Sequence, residues 1–214
     1  MARKYTTSGM IEAQFELGSK GNVLKNLLGI KNADEMDRFE ALALEEAQDA
    51  LIRSYDKNYR FTAKDICQMH KAWLGKIYVW AGTYRHVNLG KNNFSFATAA
   101  HIPSLMSEFE DTILRKWTPC ISHKKDIAQA LAEVHVELVL IHPFREGNGR
   151  VSRLLAILMA LQAGLPILNF STIHGKAKEA YFKAIQEGIK HNYKPMEKIF
   201  KEVIKTSVSR AEKI

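Results

Sequence analysis

Two apolar segments flank a short charged stretch and set the strongest constraint on the fold of this 214-residue chain. The first contains AEVHVELVLI, one of the most apolar stretches of the sequence, and predicts a buried helix over residues 125–141. The second predicts a helix over 149–163 that stops at Gly164. The charged stretch HPFREGNGRVSR extends from His142 to Arg153. It begins after the first predicted helix and continues into the second. A surface turn needs far less charge and glycine, so this stretch indicates a functional site.

Helical patterns dominate the rest of the chain. Residues 33–55 have acids in the first turns and apolar residues at helical spacing, and Thr62 with Asp65 three positions later indicates a capped helix. Asn22 is predicted to cap a short helix that ends at Gly29. Three more helices are predicted over 104–117, 175–190 and 195–210.

One segment has a strand pattern. In TYRHVNLGKNNFSFA, residues 83–97, two arms flank the turn-rich tip GKNN, which is typical of a β-hairpin or flap. We therefore expect an all-α fold with one hairpin. The predicted organisation is an N-terminal segment over 1–20, one domain over 21–205 and a C-terminal tail over 206–214.

The composition excludes few functions. A net charge of +8 suits nucleic acid, an anionic membrane or a phosphate-bearing ligand, but also an ordinary solvated basic face. The two cysteines, Cys67 and Cys120, lack the spacing of a zinc site and indicate a reducing compartment. The start of the chain has no apolar leader, and the longest apolar run is too short to cross a bilayer. We expect a cytoplasmic protein with no membrane partner.

The residues GNGR at the start of a helix predict an anion site. The first N–H groups of a helix have no helical partner and carry the positive end of its dipole. Glycines let an anion approach these groups. Arg150 and Arg153 are three residues apart and point to one side. Together these features indicate a polyphosphate site.

Glu146 and His142 add chemistry to this anion site. A carboxylate beside phosphates is repelled unless a cation such as Mg²⁺ joins them. A histidine next to the site can take a proton from an attacking hydroxyl. The set predicts transfer of a phosphorus-centred group from a nucleotide to a hydroxyl. Taken singly, His142 is a helix cap, Gly-Asn-Gly a turn, and Glu146 a partner of Arg145 or Arg150.

The motif resembles the signature of the Fic family, HxFx[DE]GNGRxxR. Every fixed position is filled, from His142 through Phe144 and Glu146 to Arg153. VLKNLLGI, YVWAGTYRHVN and EAYFKAI also resemble Fic-domain segments, so the resemblance spans roughly residues 20–204.

This resemblance implies a Fic-type helical bundle with the hairpin as a flap over the active site. It implies AMPylation, in which AMP moves from ATP, with Mg²⁺, to a Tyr, Thr or Ser hydroxyl of a target protein and pyrophosphate leaves. The implied roles are His142 as general base, Phe144 as core anchor, Glu146 as Mg²⁺ ligand, Gly147, Asn148 and Gly149 as phosphate cradle, and Arg150 and Arg153 as ligands of the β- and γ-phosphates.

The resemblance also assigns roles outside the motif. The flap, with Val87, Asn88, Lys91 and Asn92, is expected to dock the main chain of the target by strand addition, although an ordinary hairpin has the same pattern. Tyr181 lines an adenine pocket or belongs to the core. In Doc-type kinases, which phosphorylate instead, a lysine replaces the glycine at the position of Gly149. The branch that transfers phosphocholine is not excluded by this glycine.

Many Fic proteins are inhibited by a helix carrying [ST]xxxE[GN], whose glutamate pairs with the last arginine of the motif. The sequence SGMIEA places Ser8 and Glu12 at this spacing, but Ala13 departs from the pattern. We hypothesise that Glu12 pairs with Arg153 and blocks ATP. One alternative is a frayed N-terminal segment in which this glutamate is incidental. The other is a separate antitoxin that supplies the glutamate, as for a bacterial toxin.

Two other functions fit the sequence. One is a catalytically silent regulator with a Fic fold that binds a nucleotide or nucleic acid, which the basic charge motivates. The other is a different Fic-type phosphotransferase. Among partners, the basic surface suits a DNA-associated target protein, and self-association is left open.

Overall fold

The computed structural model describes residues 9–91 and 94–213. These residues are mostly helical, as predicted, with one two-stranded hairpin between α2 and α3. The helices are α1 (Ala33–Ser54), α2 (Ala63–Leu74), α3 (Ile102–Phe109), α4 (Arg115–Trp117), α5 (Ile127–Ile141), α6 (Asn148–Gln162), α7 (Lys176–Glu187) and α8 (Lys194–Ala211). The strands are β1 (Gly90–Lys91) and β2 (Phe94–Ser95), and a π-helical turn over Glu110–Leu114 joins α3 to α4.

Helix α5 lies at the centre of the bundle. It packs against α6 and α8, and Leu131, Val136 and Leu138 are fully buried. Because α5 is apolar around most of its circumference, burial on several sides is its stable position. The predicted helices over 125–141 and 149–163 are thus confirmed to within a few residues, and the chain between them is held inside the bundle.

Local capping explains where the two helices before the hairpin begin. The side chain of Asn32 accepts a hydrogen bond from Glu35 N at 3.0 Å and starts α1. Thr62 and Asp65 form the predicted capping box at α2, since each side chain accepts from the main chain N–H of the other. Asp65 also accepts a hydrogen bond from the hydroxyl of Tyr59 at 3.0 Å. This buried carboxylate therefore anchors both α2 and the turn that precedes it.

The predicted helix between Asn22 and Gly29 is wrong. The side chain of Asn26 accepts hydrogen bonds from Leu28 N and Ile30 N, both at 3.1 Å, and donates to Ile30 O at 2.9 Å. An asparagine that bonds its own neighbours competes with the helical ladder. The segment is instead an irregular loop.

The hairpin is present, but its ladder is shorter than residues 83–97. Gly90 pairs with Ser95, and Lys91 pairs with Phe94. The ladder does not extend because side chains take the flanking main-chain groups: Arg85 binds the carbonyls of Val87 and Ala97, and Glu12 binds the N–H of His86.

Hydrogen bonds cross both of the predicted domain limits. Glu16 N donates to Val23 O at 2.9 Å, and Asn26 N donates to the Glu16 side chain at 2.9 Å, which ties the N-terminal segment to the next loop. Helix α8 continues to Ala211, past residue 205. None of the helices in the described ranges is long and apolar enough to cross a membrane.

Asp65→Ala should lower the free energy of unfolding by about 2 kcal/mol, because it removes a helix cap and leaves the half-buried Tyr59 hydroxyl without its acceptor. Urea unfolding measures the change. Asp34→Ala, at an exposed position in the first turn of α1, is the control and should cost less than about 1 kcal/mol. Equal losses would contradict the anchoring role of Asp65.

Candidate active site

His142 lies directly after α5 and takes the left-handed conformation, with φ 54° and ψ 57°. Its N–H closes the last helical turn on Leu138 O at 3.1 Å. Its Nδ1 is 3.0 Å from Val139 O. Because a carbonyl oxygen only accepts, Nδ1 carries the proton, and Nε2 is the basic nitrogen of the neutral ring. The ring stacks on Phe96 of the flap, with centroids 3.6 Å apart. His142 is both a helix cap and a base presented beneath the flap.

The loop after His142 is held from below by a neutral histidine. Phe144 is fully buried and stacks on His70, with centroids 3.9 Å apart. His70 Nδ1 accepts from Gly82 N at 2.8 Å, so its Nε2 carries the proton and donates to Glu146 O at 3.0 Å. Burial lowers the pKa of His70 to about 4, which keeps the ring neutral.

The side chain of Asn148 closes the motif loop. Its Oδ1 accepts from Phe144 N and its Nδ2 donates to Phe144 O, both at 2.8 Å. The side chain is buried and is used to close the loop, so it is not available to hold a phosphate. What Asn148 and Gly149 offer to an anion are their main-chain N–H groups at the start of α6.

Gly147 is required by both conformation and space. Its φ is +83°, and a Cβ added here would lie 2.5 Å from Cζ3 of Trp73. At Gly149 the nearest atom to an added Cβ is Nη1 of Arg153 at 3.7 Å, an ordinary contact. The first glycine thus shapes the loop, and the second keeps the space before Arg153 open.

Arg150 is held by a carboxylate that the sequence pattern did not reveal. Its Nη1 is 2.6 Å from Oε2 of Glu40, which is buried in α1, and its guanidinium lies 4.5 Å from the ring centre of Trp73. Its Nη2 is 3.5 Å from Oε1 of Glu146. The hydroxyl of Tyr78 donates to the other oxygen of Glu40 at 2.8 Å. The predicted ligand of phosphate is therefore already paired with two carboxylates.

The charge of Arg153 lies beside neutral groups. Burial raises the pKa of the Tyr181 hydroxyl, and the nearby charge of Arg153 opposes this shift. The hydroxyl lies 2.6 Å from Nε2 of His135. Burial lowers the pKa of His135 to about 3, which keeps it neutral. Tyr181 is buried in the cleft wall, so the core alternative describes it best.

The predicted pair between Glu12 and Arg153 is not formed. Glu12 is buried, and its Oε1 accepts from His86 N at 2.7 Å, while its carbonyl accepts from Nε of Arg145 at 2.8 Å. Among the described residues, Arg153 pairs with no carboxylate. Glu12 thereby satisfies the His86 N–H at the base of the flap, which the hairpin ladder does not reach. Ser8 lies outside the described residues.

The four flap residues predicted to dock a target differ in their positions. Val87 is buried and its carbonyl is taken by Arg85, so it belongs to the flap base. Asn88 is exposed, and its side chain accepts from Ala99 N at 2.8 Å. Lys91 lies in β1. Asn92 lies outside the described residues.

These elements surround one cleft of about 1040 Å³. Its lining includes the motif loop, with His142, Glu146 and Arg153. Residues before and within α7 also line it, both apolar or aromatic ones and polar ones: Phe170, Ile173, Tyr181, Phe182, Ile185, His174, Lys178 and Gln186. A cleft lined by cationic and aromatic side chains has the size and chemistry to take a nucleotide.

Gly147→Ala should lower the free energy of unfolding by at least about 2 kcal/mol, because it combines a strained φ with a clash against Trp73. Gly149→Ala is the matched control and should change it by less than about 1 kcal/mol, since α6 accommodates this Cβ. Urea unfolding of both variants measures the difference. Similar values for the two would contradict the distinct roles of the glycines.

Comparison with known proteins places this site in a family. The model of the Fic/DOC family matches residues 60–160. The protein adenylyltransferase VbhT of Bartonella schoenbuchensis is 31% identical over 170 residues, which cover 77% of this chain and 34% of that protein. A probable protein adenylyltransferase Fic of Salmonella typhimurium is 27% identical over 192 residues, which cover 86% of this chain and 88% of that protein. The chain spans about a third of the length of VbhT and of the Nematostella vectensis relative.

Solved structures have the same architecture. The N-terminal Fic domain of a putative cell filamentation protein from Bartonella quintana aligns with a TM-score of 0.71 at 25% identity, covering 91% of this chain and 93% of that domain. A structure of such a domain from the same organism with bound ADP aligns with a TM-score of 0.65 at 26% identity, covering 84% of this chain and 89% of that one. The family match, the identity to the relatives and the shared architecture agree, and the chain belongs to the Fic/DOC family.

Proposed function

We propose that this chain is a protein adenylyltransferase that moves AMP from Mg-ATP to a Tyr, Thr or Ser hydroxyl of a target protein. The observation that carries the proposal is the position of His142, whose basic Nε2 belongs to the same cleft as the open N–H groups of α6. The names of the relatives, several of which are called protein adenylyltransferases, support the same activity.

Few groups of the chain take part in the proposed reaction. Nε2 of His142 accepts the proton of the target hydroxyl as its oxygen attacks the α-phosphorus of ATP. A bond forms between this oxygen and the α-phosphorus, the bond to the bridging oxygen breaks, and pyrophosphate leaves. The N–H groups of Asn148 and Gly149 and the guanidinium of Arg153 hold the phosphates.

Glu146 is the residue that fits a Mg²⁺ ion. Its side chain is 47% exposed and lines the cleft, and no hydrogen bond takes its Oε2 among the described residues. Those residues contain no cluster of three or more metal-binding side chains, so phosphates and water would complete the coordination. A bound Mg²⁺ would neutralise charge on the phosphates. Arg150 then acts mainly by orienting Glu146, because Glu40 already pairs with it.

The space before Arg153 supports transfer of AMP instead of phosphate. A Cβ at Gly149 would point to Nη1 of Arg153 at 3.7 Å, so a long side chain here would extend toward the group that we assign to the terminal phosphates. The small residue leaves that guanidinium open to them. A Mg-dependent adenylyltransferase is therefore favoured over a Doc-type kinase.

The wider partners stay predictions. They include a target that docks its main chain along the flap, a DNA-associated target, a separate antitoxin and a second copy of the chain. A cytoplasmic location is likewise a prediction. Nothing in the described residues favours a nucleic acid over a nucleotide as the ligand of the cleft.

His142→Ala should reduce label transfer from [α-³²P]ATP to proteins of a bacterial lysate by at least about 100-fold, the usual contribution of a general base. The variant His101→Ala, at an exposed position after the flap, is the control and should keep the parent rate. Intact mass of the purified chain after incubation with Mg-ATP shows in parallel whether one AMP has been added to the chain itself.

Two outcomes would contradict the proposal. Transfer that survives in His142→Ala removes the base from the mechanism. Absence of transfer by the parent, together with ATP binding in calorimetry, supports the silent regulator instead.

Glu12→Ala should leave the initial rate of label transfer at or below that of the parent, because Glu12 binds the flap base and not Arg153. Glu16→Ala is a matched control, since this carboxylate in the same segment also accepts one main-chain N–H, from Asn26. A rise in rate that is specific to Glu12→Ala would support the inhibitory pair that the sequence pattern suggested.

A further inference from the structure

Arg85 is a buried cation whose hydrogen bonds all go to the main chain. Its side chain is 1% exposed and forms no ion pair within the described ranges. The guanidinium donates to the carbonyls of His142 at 2.7 Å, Val87 at 2.6 Å and Ala97 at 2.6 Å. A fourth, longer contact of 3.5 Å reaches Ile141 O. Three separate segments of the chain meet on one side chain.

Burial of a charged side chain is energetically unfavourable by itself. A buried charge loses its hydration and is tolerated only when hydrogen bonds replace it. Burial lowers the pKa of Arg85, and the nearby carboxylate of Glu12 opposes this shift through space. Arginine stays charged in such sites, and its planar fork aims donors in fixed directions. The short bonds indicate that the fork fixes the relative positions of its three acceptors.

The three acceptors belong to the two parts that the reaction must align. The first acceptor is the carbonyl of His142, whose side chain is the proposed base. Val87 precedes β1 and Ala97 follows β2, so both arms of the flap end on the same guanidinium. The main-chain N–H of Arg85 also donates to Pro143 O at 2.9 Å. Both the side chain and the main-chain N–H of Arg85 therefore join the flap to the segment that contains His142.

We propose that Arg85 is a positioning residue that sets the distance between the flap and Nε2 of His142. Arg85 is not among the residues that line the cleft. By holding both flap arms and the His142 carbonyl, it places a target segment docked on the flap with its hydroxyl within reach of the base. This inference rests on the proposed adenylyltransferase function.

Arg85→Lys tests the role with the charge retained. One ammonium on a shorter head cannot bridge three segments as a planar fork does. We expect the initial rate of label transfer to lysate proteins to fall about 100-fold, the loss typical of a misplaced reacting group. The Kd for Mg-ATP in calorimetry should stay within about threefold, because the α6 N–H groups and Arg153 do not contact Arg85. Arg60→Lys is the control, since exposed Arg60 donates to a single carbonyl, that of Arg115.

Hydrogen exchange provides a readout that needs no activity. Amides of residues 86–91 and 94–97 should exchange faster in Arg85→Lys, whereas those of α1 should not change. If the parent transfers no label, the proposed function fails, and exchange still decides whether Arg85 ties the flap to the loop. Unchanged flap exchange, or transfer within threefold of the parent, would overturn the inference. A joint loss of ATP binding, transfer and α1 protection would also overturn it, because it would show a merely structural role.

A second variant covers failure of Arg85→Lys to fold. Asn88→Ala removes the bond from Ala99 N that anchors the same flap arm, without emptying a buried position. It should raise flap exchange and lower transfer less than Arg85→Lys does, with an unchanged Kd for Mg-ATP. No change in either quantity would count against positioning through the flap.

Discussion

The pairing of Asn148 with the main chain of Phe144 is the interaction on which the rest of the site depends. Two hydrogen bonds of 2.8 Å close the loop between α5 and α6 onto itself. With the loop closed, Gly147 can take its left-handed turn against Trp73, and α6 begins with its N–H groups turned to the cleft. The proposed phosphate site consists of main-chain groups, so surrounding side chains must hold it in place.

Two side chains from other parts of the chain also hold the loop between α5 and α6 in place, one neutral and one charged. His70 is kept neutral by burial and binds the carbonyl of Glu146. Arg85 is charged and binds the carbonyl of His142. Both side chains lie before the hairpin in sequence but reach the motif in space. The geometry of the candidate base thus depends on residues that never meet a substrate.

Local patterns made much of this structure predictable. The capping box of Thr62 and Asp65, the apolar helix α5 and the glycine-rich start of α6 are each written within a few neighbouring residues. The failures have long-range or side-chain causes. Glu12 bonds Arg145, 133 positions away, and Glu40 pairs with Arg150 from another helix, so no spacing rule reveals either contact. The short helix after Asn22 failed because Asn26 satisfies the local main chain itself.

The two arginines of the motif differ in how their charge is balanced, and this difference bears on the chemistry. Arg150 faces the carboxylates of Glu40 and Glu146. These negative charges largely neutralise its positive charge, so it attracts an anionic ligand only weakly. Arg153 lies beside the hydroxyl of Tyr181, which is hydrogen-bonded to neutral His135, so neither group cancels the charge of the guanidinium. In a partly buried cleft an uncompensated cation attracts phosphate strongly. This difference supports the proposal that Arg150 orients Glu146, whereas Arg153 binds the phosphates.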